Sequence, residues 1–269
     1  MRLPRLCALL PALAVLFASS AASGDMLLDI RTNGVLRVGV LQDTPPYSFR
    51  DHDGKRLGLE PDLAAEIADT IGVKLRLVPV EIIDRIDVLV KNEVDVVLAG
   101  LAYNSQIARV VELISPPYYA SGINVLARKS ERLTSWAALA GVPVCSIQGA
   151  GQNLRLAGDY GVELVTYKSA GEAHGALTSG GCRAFAFADS AIVTLLRSEK
   201  RWRDYEMPLQ PIDEQPWAMA TRIGDPLFSA LLTGIAFRWH REGTLLNLQD
   251  KWTIARTPFL ESLNEIYRY

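Results

Sequence analysis

Few residue groupings in this chain have the types and spacings that do covalent or metal chemistry. His52, His174 and His240 are its three histidines, and none stands at metal-ligand spacing from another ligating residue, so surface or capping roles are expected. The turn Asp51-His52-Asp53-Gly54 has the acidity of a calcium loop without the remaining ligand spacing. Gly149-Ala150-Gly151 starts like a phosphate cradle but lacks the third glycine and the downstream acid of a dinucleotide site. No metal or cofactor is therefore expected. What remains is noncovalent recognition and the sulfur chemistry of Cys145 and Cys182.

That sulfur chemistry depends on compartment. Arg2 and Arg5 precede an apolar or small stretch from Leu6 to Ala18, and small residues follow up to Ser23. This is the layout of a cleaved secretory signal over residues 1–23, and thirteen such residues are too few for a permanent span of a ~30 Å hydrocarbon core. Its removal takes away Cys7 and leaves Cys145 and Cys182 as an even pair in an oxidising compartment, where one disulfide is expected. The balance of 28 basic against 30 acidic residues lacks the positive excess that a nucleic-acid backbone selects. With 49% hydrophobic residues over 269 positions, the chain can bury one large core or two smaller ones, which excludes disorder.

The elements follow an alternating order. Residues 35–40 read as a strand, the Asp51–Gly54 turn as a hairpin, and Pro61–Ile71 as a helix with Leu63, Ala64, Ile67, Ala68 and Ile71 on one face. A strand from Lys74 to Val80, a helix near Asp84–Lys91 and a buried strand within Val94–Gly100 complete a βαβαβ unit. The grammar restarts after residue 125. Strands are expected at Val142–Ile147, Val162–Tyr167 and Arg183–Ala188, with helices at Gly151–Tyr160, Ala170–Thr178 and about Ser190–Ser198. Strand character at Trp217–Thr221, helices near Asp225–Arg241 and Leu246–Trp252, and an amphipathic tail with Phe259, Leu263, Ile266 and Tyr267 end the chain. Two α/β units of this kind place a ligand at the carboxyl ends of their strands, in the cleft between them.

The motifs Leu36-Arg-Val-Gly-Val with Pro45-Pro-Tyr-Ser-Phe49, Asp62-Leu-Ala-Ala-Glu-Ile-Ala68, Glu93-Val-Asp-Val-Val97, Ser115-Pro-Pro-Tyr-Tyr119, Val144-Cys-Ser-Ile-Gln-Gly149 and Ala188-Asp-Ser190 occur in an order and spacing that resembles the periplasmic solute-binding proteins of the polar amino acid family. The likeness extends over about residues 34–252. It implies a two-lobed type II binding-protein fold, two doubly wound sheets joined by a two-strand hinge. Lobe one would comprise 24–124 plus 219–269 and lobe two 125–218. It also implies hinge closure on a small-molecule ligand and delivery to an inner-membrane ABC permease from the periplasm.

An α-amino acid brings a carboxylate and an ammonium, and burying either without a partner is costly. By the resemblance, Asp189 takes the ammonium, with helix capping as its alternative role. The family arginine falls on Ala108, leaving Arg109 one residue later, about 100° around a helix. Backbone and polar groups at Gly100, Leu101, Ala102, Asn104, Gly149, Gly151 and Gln152, with Tyr47 as a wall, complete the expected pocket. These departures keep two other functions open: an accessory subunit of a periplasmic quinoprotein methanol dehydrogenase, which would use the 253–269 tail, and a cyclohexadienyl dehydratase, which would need a pocket acid and a carboxylate-binding arginine. The receptor reading, a non-enzyme that captures a small polar or zwitterionic solute, is the leading one.

Overall fold

A computed structural model describes residues 25–198 and 200–269. The expected signal, with Cys7, lies outside the described residues. In chain order the elements are α1 (Met26–Asn33), β1 (Val35–Leu41), β2 (Phe49–Arg50), β3 (Arg56–Leu57), α2 (Leu59–Ile71), β4 (Lys74–Val80), α3 (Arg85–Val90), β5 (Val96–Leu98), β6 (Glu112–Leu113) and β7 (Tyr119–Arg128). There follow β8 (Pro143–Ile147), α4 (Asn153–Tyr160), β9 (Glu163–Tyr167), α5 (Ala170–Ser179), β10 (Ala184–Ala188), α6 (Asp189–Ser198), β11 (Tyr205–Glu206), β12 (Ile212–Trp217) and β13 (Ala220–Thr221). Helices α7 (Pro226–Arg241), α8 (Thr244–Lys251) and α9 (Pro258–Tyr267) close the chain.

The first sheet runs β4-β1-β5-β13-β6, with β4, β1 and β5 parallel and β13 antiparallel to both of its neighbours. Its centre is dry because Val38, Val40, Val96, Val97 and Leu98 are all buried, so helices must cover both faces. One cover is α2, whose Leu63, Ala64, Ile67, Ala68 and Ile71 are buried and which ends at Gly72 in the left-handed conformation. The second sheet runs β11-β7-β10-β8-β9, with β12 also paired to β7. Strands β10, β8 and β9 are parallel, and the antiparallel β7 and β12 pair Tyr119 with Trp217 where the chain passes between the two lobes.

The structure departs from the sequence reading at both ends of the first sheet's chain, beginning with a helix that was not expected. α1 is capped by Asp25 and docks through its Met26 N–H on Asp225, at 2.5 Å, the same carboxylate that caps α7 by accepting from the Phe228 N–H. The strand expected at Trp217–Thr221 is broken at Ala218–Met219, because Trp217 ends the pairing with β7 while Ala220 and Thr221 pair in the other sheet. The helix expected from Pro61 begins at Leu59, and the one expected from Asp84 is preceded by a short 3-10 turn at Ile82–Asp84.

Cys145 on β8 and Cys182 just before β10 form a buried disulfide spanning 37 residues. The bond ties adjacent parallel strands across the crossover through α4, β9 and α5. In the chain-entropy account such a loop contributes roughly 4 kcal/mol. The double substitution Cys145→Ala/Cys182→Ala is therefore expected to lower the unfolding free energy, read from urea titration, by that amount with an unchanged far-ultraviolet spectrum; an unaltered unfolding free energy would refute it.

Candidate functional site

A cavity of about 150 Å³ lies between the lobes, at the carboxyl ends of β1, β5 and β8. The first lobe lines it with Leu41, Ile82, Arg85 and the segment Ala99–Asn104; the second contributes Gly149, Ala150, Gly151, Gln152, Phe187 and Ala188; the crossing strands add Ser121, Gly122, Ile123, Gln215 and Trp217. The expected residues Gly100, Leu101, Ala102, Asn104, Gly149, Gly151 and Gln152 therefore come together.

Three other expected residues stand outside that lining. Arg109 ends the 3-10 turn Ile107–Arg109 and is exposed, while Ile107 faces the cavity. Two residues of such a turn rotate the side chain by about 240°, which carries the guanidinium away. Asp189 sits behind Ser121 and Gly122. Its carboxylate accepts from the Ser121 hydroxyl at 2.7 Å and from the Ser190 N–H at 2.6 Å at the start of α6. Tyr47 is fully buried, with its hydroxyl on Ser190 of the other lobe and its ring edge-on to Trp217 at 4.7 Å. Tyr119 completes this aromatic trio, 5.1 Å from Trp217 and 5.7 Å from Tyr47, as packing beside the crossing strands.

The cation of the cleft is Arg85, which the motif reading passed over. Its Nε donates to the Ile82 carbonyl at 2.8 Å, and its Nη1 to the carbonyls of Ala99 at 2.9 Å and Gly100 at 2.8 Å. The outer nitrogen Nη2 reaches the Gly149 carbonyl of the second lobe only at 3.4 Å, so it is the donor a ligand oxygen can take over. The 3-10 turn and α3 put Ile82, Arg85 and Leu89 on one buried face, at spacings of three and four residues. A charged member of an apolar stripe was the signal to follow.

Beneath Arg85 lies Glu60, at the first turn of α2 and completely buried. It accepts from the Gly100 N–H at 2.8 Å, the Leu41 N–H at 3.3 Å and the Tyr118 hydroxyl at 3.1 Å. Glu60 and Arg85 thus hold opposite sides of residue 100, one through its N–H and the other through its carbonyl. Burial pushes the Glu60 carboxyl up to about 8, against which these hydrogen bonds and the charge of Arg85 act only partially. Burial also pulls Arg85 down, to about 10, which leaves it protonated at neutral pH. At pH 7 the acid is mainly neutral and the base charged, so the cleft carries a net positive charge.

This assignment has a measurable sign. The unfolded chain releases the Glu60 proton near 4.5 and the folded chain near 8, so between those values the folded state binds more protons and stability falls as pH rises. Relative to Glu60→Gln, the wild-type unfolding free energy is expected to decline through that window by up to about 1.4 kcal/mol per pH unit. Any pH-independent cost of placing the glutamine amide opposite the Leu41 N–H cancels in that slope. Parallel profiles for the two proteins would exclude the buried proton.

The second lobe supplies further donors. Gln152 precedes α4, and its buried Nε2 has no hydrogen-bond partner among the described residues. Gly149 adopts φ +73° and packs directly on Ile83 of the first lobe, where a Cβ would come 2.7 Å from the Ile83 Cα. The histidines stand elsewhere: His52 is exposed beside Asp53, His240 bonds to the Pro117 carbonyl, and His174 packs against Phe185 and Trp202.

Residues 36–255 match the sequence profile of the bacterial extracellular solute-binding proteins, family 3. The glutamate/aspartate import solute-binding protein of Salmonella typhimurium is 23% identical over 86% of this chain and 80% of its own length. The L-cystine-binding protein TcyJ of Escherichia coli strain K12 is 27% identical over 87% of this chain and 88% of its own. Among solved structures, the cysteine-binding protein of Campylobacter jejuni superposes with a TM-score of 0.79 at 24% identity, covering 84% of this chain and 92% of that one.

Proposed function

Since the chain belongs to the bacterial extracellular solute-binding proteins of family 3, we propose that it is a periplasmic receptor for a small carboxylate-bearing solute, an amino acid or a derivative of one, which it delivers to an ABC permease. The observation that carries this reading is the pairing of Arg85 from one lobe with the partnerless Gln152 amide from the other, across a single cavity. A carboxylate that accepts from both touches both lobes and favours the closed arrangement. No carboxylic side chain lines the cavity among the described residues, so an anion is favoured over a cation. An apolar cavity of ~150 Å³ holds a benzene-sized molecule, so a volume of about 150 Å³ fits a solute with a short side chain rather than a long one.

Gly100, Leu101, Ala102, Asn104, Gly149, Gly151 and Gln152 would form the contact surface in this reading, with Asp189, Tyr47 and Ser190 as struts behind it. The tail behind the accessory-subunit alternative packs back on its own chain: Leu260 of α9 is buried, and Asn264 donates to the His240 carbonyl at the end of α7. A dehydratase would require a proton donor in the cavity, whereas the carboxyl of Glu60 is bonded to Leu41, Gly100 and Tyr118.

The test is a thermal-shift panel of glycine, alanine, cysteine, aspartate and lactate beside their amine or amide analogues. A ligand at one hundred times its dissociation constant adds about 2.7 kcal/mol, or roughly 5–10 °C for a chain of this size. At least one carboxylate is expected to reach that shift while its amide analogue does not. Equal responses to acid and amide, or none to any carboxylate, would overturn the proposal.

A further inference from the structure

A second cavity, of about 320 Å³, also lies between the lobes. The first lobe lines it with Pro45, Pro46, Phe49 and Trp252, and the second with His174, Phe185, Phe187 and Ile192. It is twice the volume of the cleft around Arg85 and opposite in chemistry. Its lining holds no charged side chain among the described residues, and its polar groups are the hydroxyls of Thr44 and Thr194 and the His174 imidazole.

We propose that this cavity is a second ligand site, which takes a small uncharged aromatic molecule of one or two rings bearing one hydrogen-bonding group. Size comes first: a benzene-sized guest occupies an apolar cavity of about 150 Å³, so 320 Å³ accommodates one ring with a substituent or a fused pair, but not a helix or a strand. Shape comes next. Phe185 and Phe187 stack at 5.6 Å on one wall, and Phe49 meets Trp252 edge-on at 5.8 Å on the other, so a flat guest finds ring faces and edges from both lobes. Trp252 is fixed by its Nε1–H bond to Asp62 at 2.7 Å, which prepares that wall before any ligand arrives.

The polar group of the guest is assigned to His174. Neither of its ring nitrogens has a hydrogen-bond partner among the described residues, while its ring is held against Phe185 at 4.9 Å and Trp202 at 5.3 Å. Burial and the nearby Arg201 push the imidazole down to about 4, so it stays neutral and offers one donor and one acceptor. A hydroxyl or an indole N–H satisfies it; a carboxylate enters an apolar wall with no cation among the lining residues. Phe187 lines both cavities, so the aromatic site shares a wall with the site for the carboxylate solute without sharing its charge.

The test uses 4-fluorophenol, fluorobenzene and 4-fluorobenzoate as fluorine-NMR probes on the mature protein. A ligand of eight heavy atoms in such a site is expected to bind with a dissociation constant of about 0.1–1 mM. The expected order is 4-fluorophenol, then fluorobenzene, with 4-fluorobenzoate unbound at 5 mM. Ala191 and Thr194 line the cavity from α6, so Ala191→Phe fills it, and Thr194→Trp does so independently where the first variant fails to fold. Either folded variant is expected to weaken 4-fluorophenol at least tenfold, and His174→Leu to erase its advantage over fluorobenzene. Absence of 4-fluorophenol binding, binding insensitive to both filling variants, or equal binding of the benzoate overturns the proposal. The first of these results would leave the cavity to an apolar side chain of a partner protein. Because Arg85→Met leaves this cavity untouched, retained 4-fluorophenol binding in that variant separates the aromatic site from the carboxylate receptor.

Discussion

Replacing Arg85 with methionine is expected to weaken carboxylate binding by about 1000-fold while the protein stays folded. The guanidinium is the one charged group lining the interlobe cavity among the described residues, and its Nη2 is the donor without a short protein contact. A buried carboxylate that loses its cation forfeits about 3–5 kcal/mol, which is two to three and a half decades of affinity. Stability follows a different account. The variant strips a donor from the carbonyls of Ile82, Ala99 and Gly100, but it also removes the desolvation cost of a buried cation, and these act in opposite directions. Calorimetry with the best solute of the panel, beside a thermal melt, separates the two effects. Arg85→Lys is expected to fall between wild type and Arg85→Met, since an ammonium restores the charge without the planar fork that holds three carbonyls. Affinity in wild type is also expected to drop above pH 8, as Glu60 ionises beneath Gly100 and offsets the cleft charge, and Glu60→Gln is expected to flatten that decline. Unchanged affinity in Arg85→Met would remove the guanidinium from the site.

The sheets and helices were legible in the sequence because they obey simple periods. The Val-rich run 94–98, the alternating Ala-Phe run 184–188 and the stripe of Leu63, Ala64, Ile67, Ala68 and Ile71 all sit where their patterns require. The disulfide was legible because the expected removal of a signal segment with Cys7 would leave two cysteines to pair. Backbone-rich parts of the cleft, at 100–104 and 149–152, were legible from their positions after β5 and β8, since strand ends in such folds point at the ligand.

The charged machinery was harder to see, and Arg85 and Glu60 show why. Each occupies a position that its helix reserves for an apolar residue: Ile82, Arg85 and Leu89 share one face, as do Glu60, Leu63, Ala64 and Ile67. Asp84 and Asp87 beside Arg85 suggest a solvated ion pair, and the helix start assigned to Pro61 left Glu60 outside the pattern altogether. Three-dimensional pairing through one peptide unit, at Gly100, cannot be read from residues 25 positions apart. Asp189 shows the converse: its place at the start of α6 suits both a ligand contact and a helix-start role, and only the three-dimensional contacts with Ser121 and Ser190 show which groups its carboxylate meets.

Closure itself can be tested at a single position. Gly149→Ala is expected to lower solute affinity by two to three decades by preventing the lobes from meeting. The added Cβ would stand 2.7 Å from the Ile83 Cα and 3.0 Å from its Cβ and N, and since two of those atoms are backbone, no rotamer change relieves the clash. Overpacking of this severity costs about 3 kcal/mol or more, and only the closed form bears it, so the equilibrium moves toward the open form by that amount. A second effect must be separated from the first, because Gly149 has φ +73°, where an alanine costs about 1–2 kcal/mol in either form. Gly161 provides the control. It ends α4 at φ +61°, and a Cβ there meets only the Ala140 Cβ at 3.9 Å, within its own lobe. Gly161→Ala is therefore expected to lower the melting temperature as Gly149→Ala does, yet to keep its affinity and its solute-induced compaction. X-ray scattering with and without the solute reads the difference directly: Gly149→Ala should keep the larger radius of gyration at solute concentrations that compact the wild type. If both alanine variants compact alike, contact between residues 83 and 149 is not part of the closed state, and the solute closes the lobes without it.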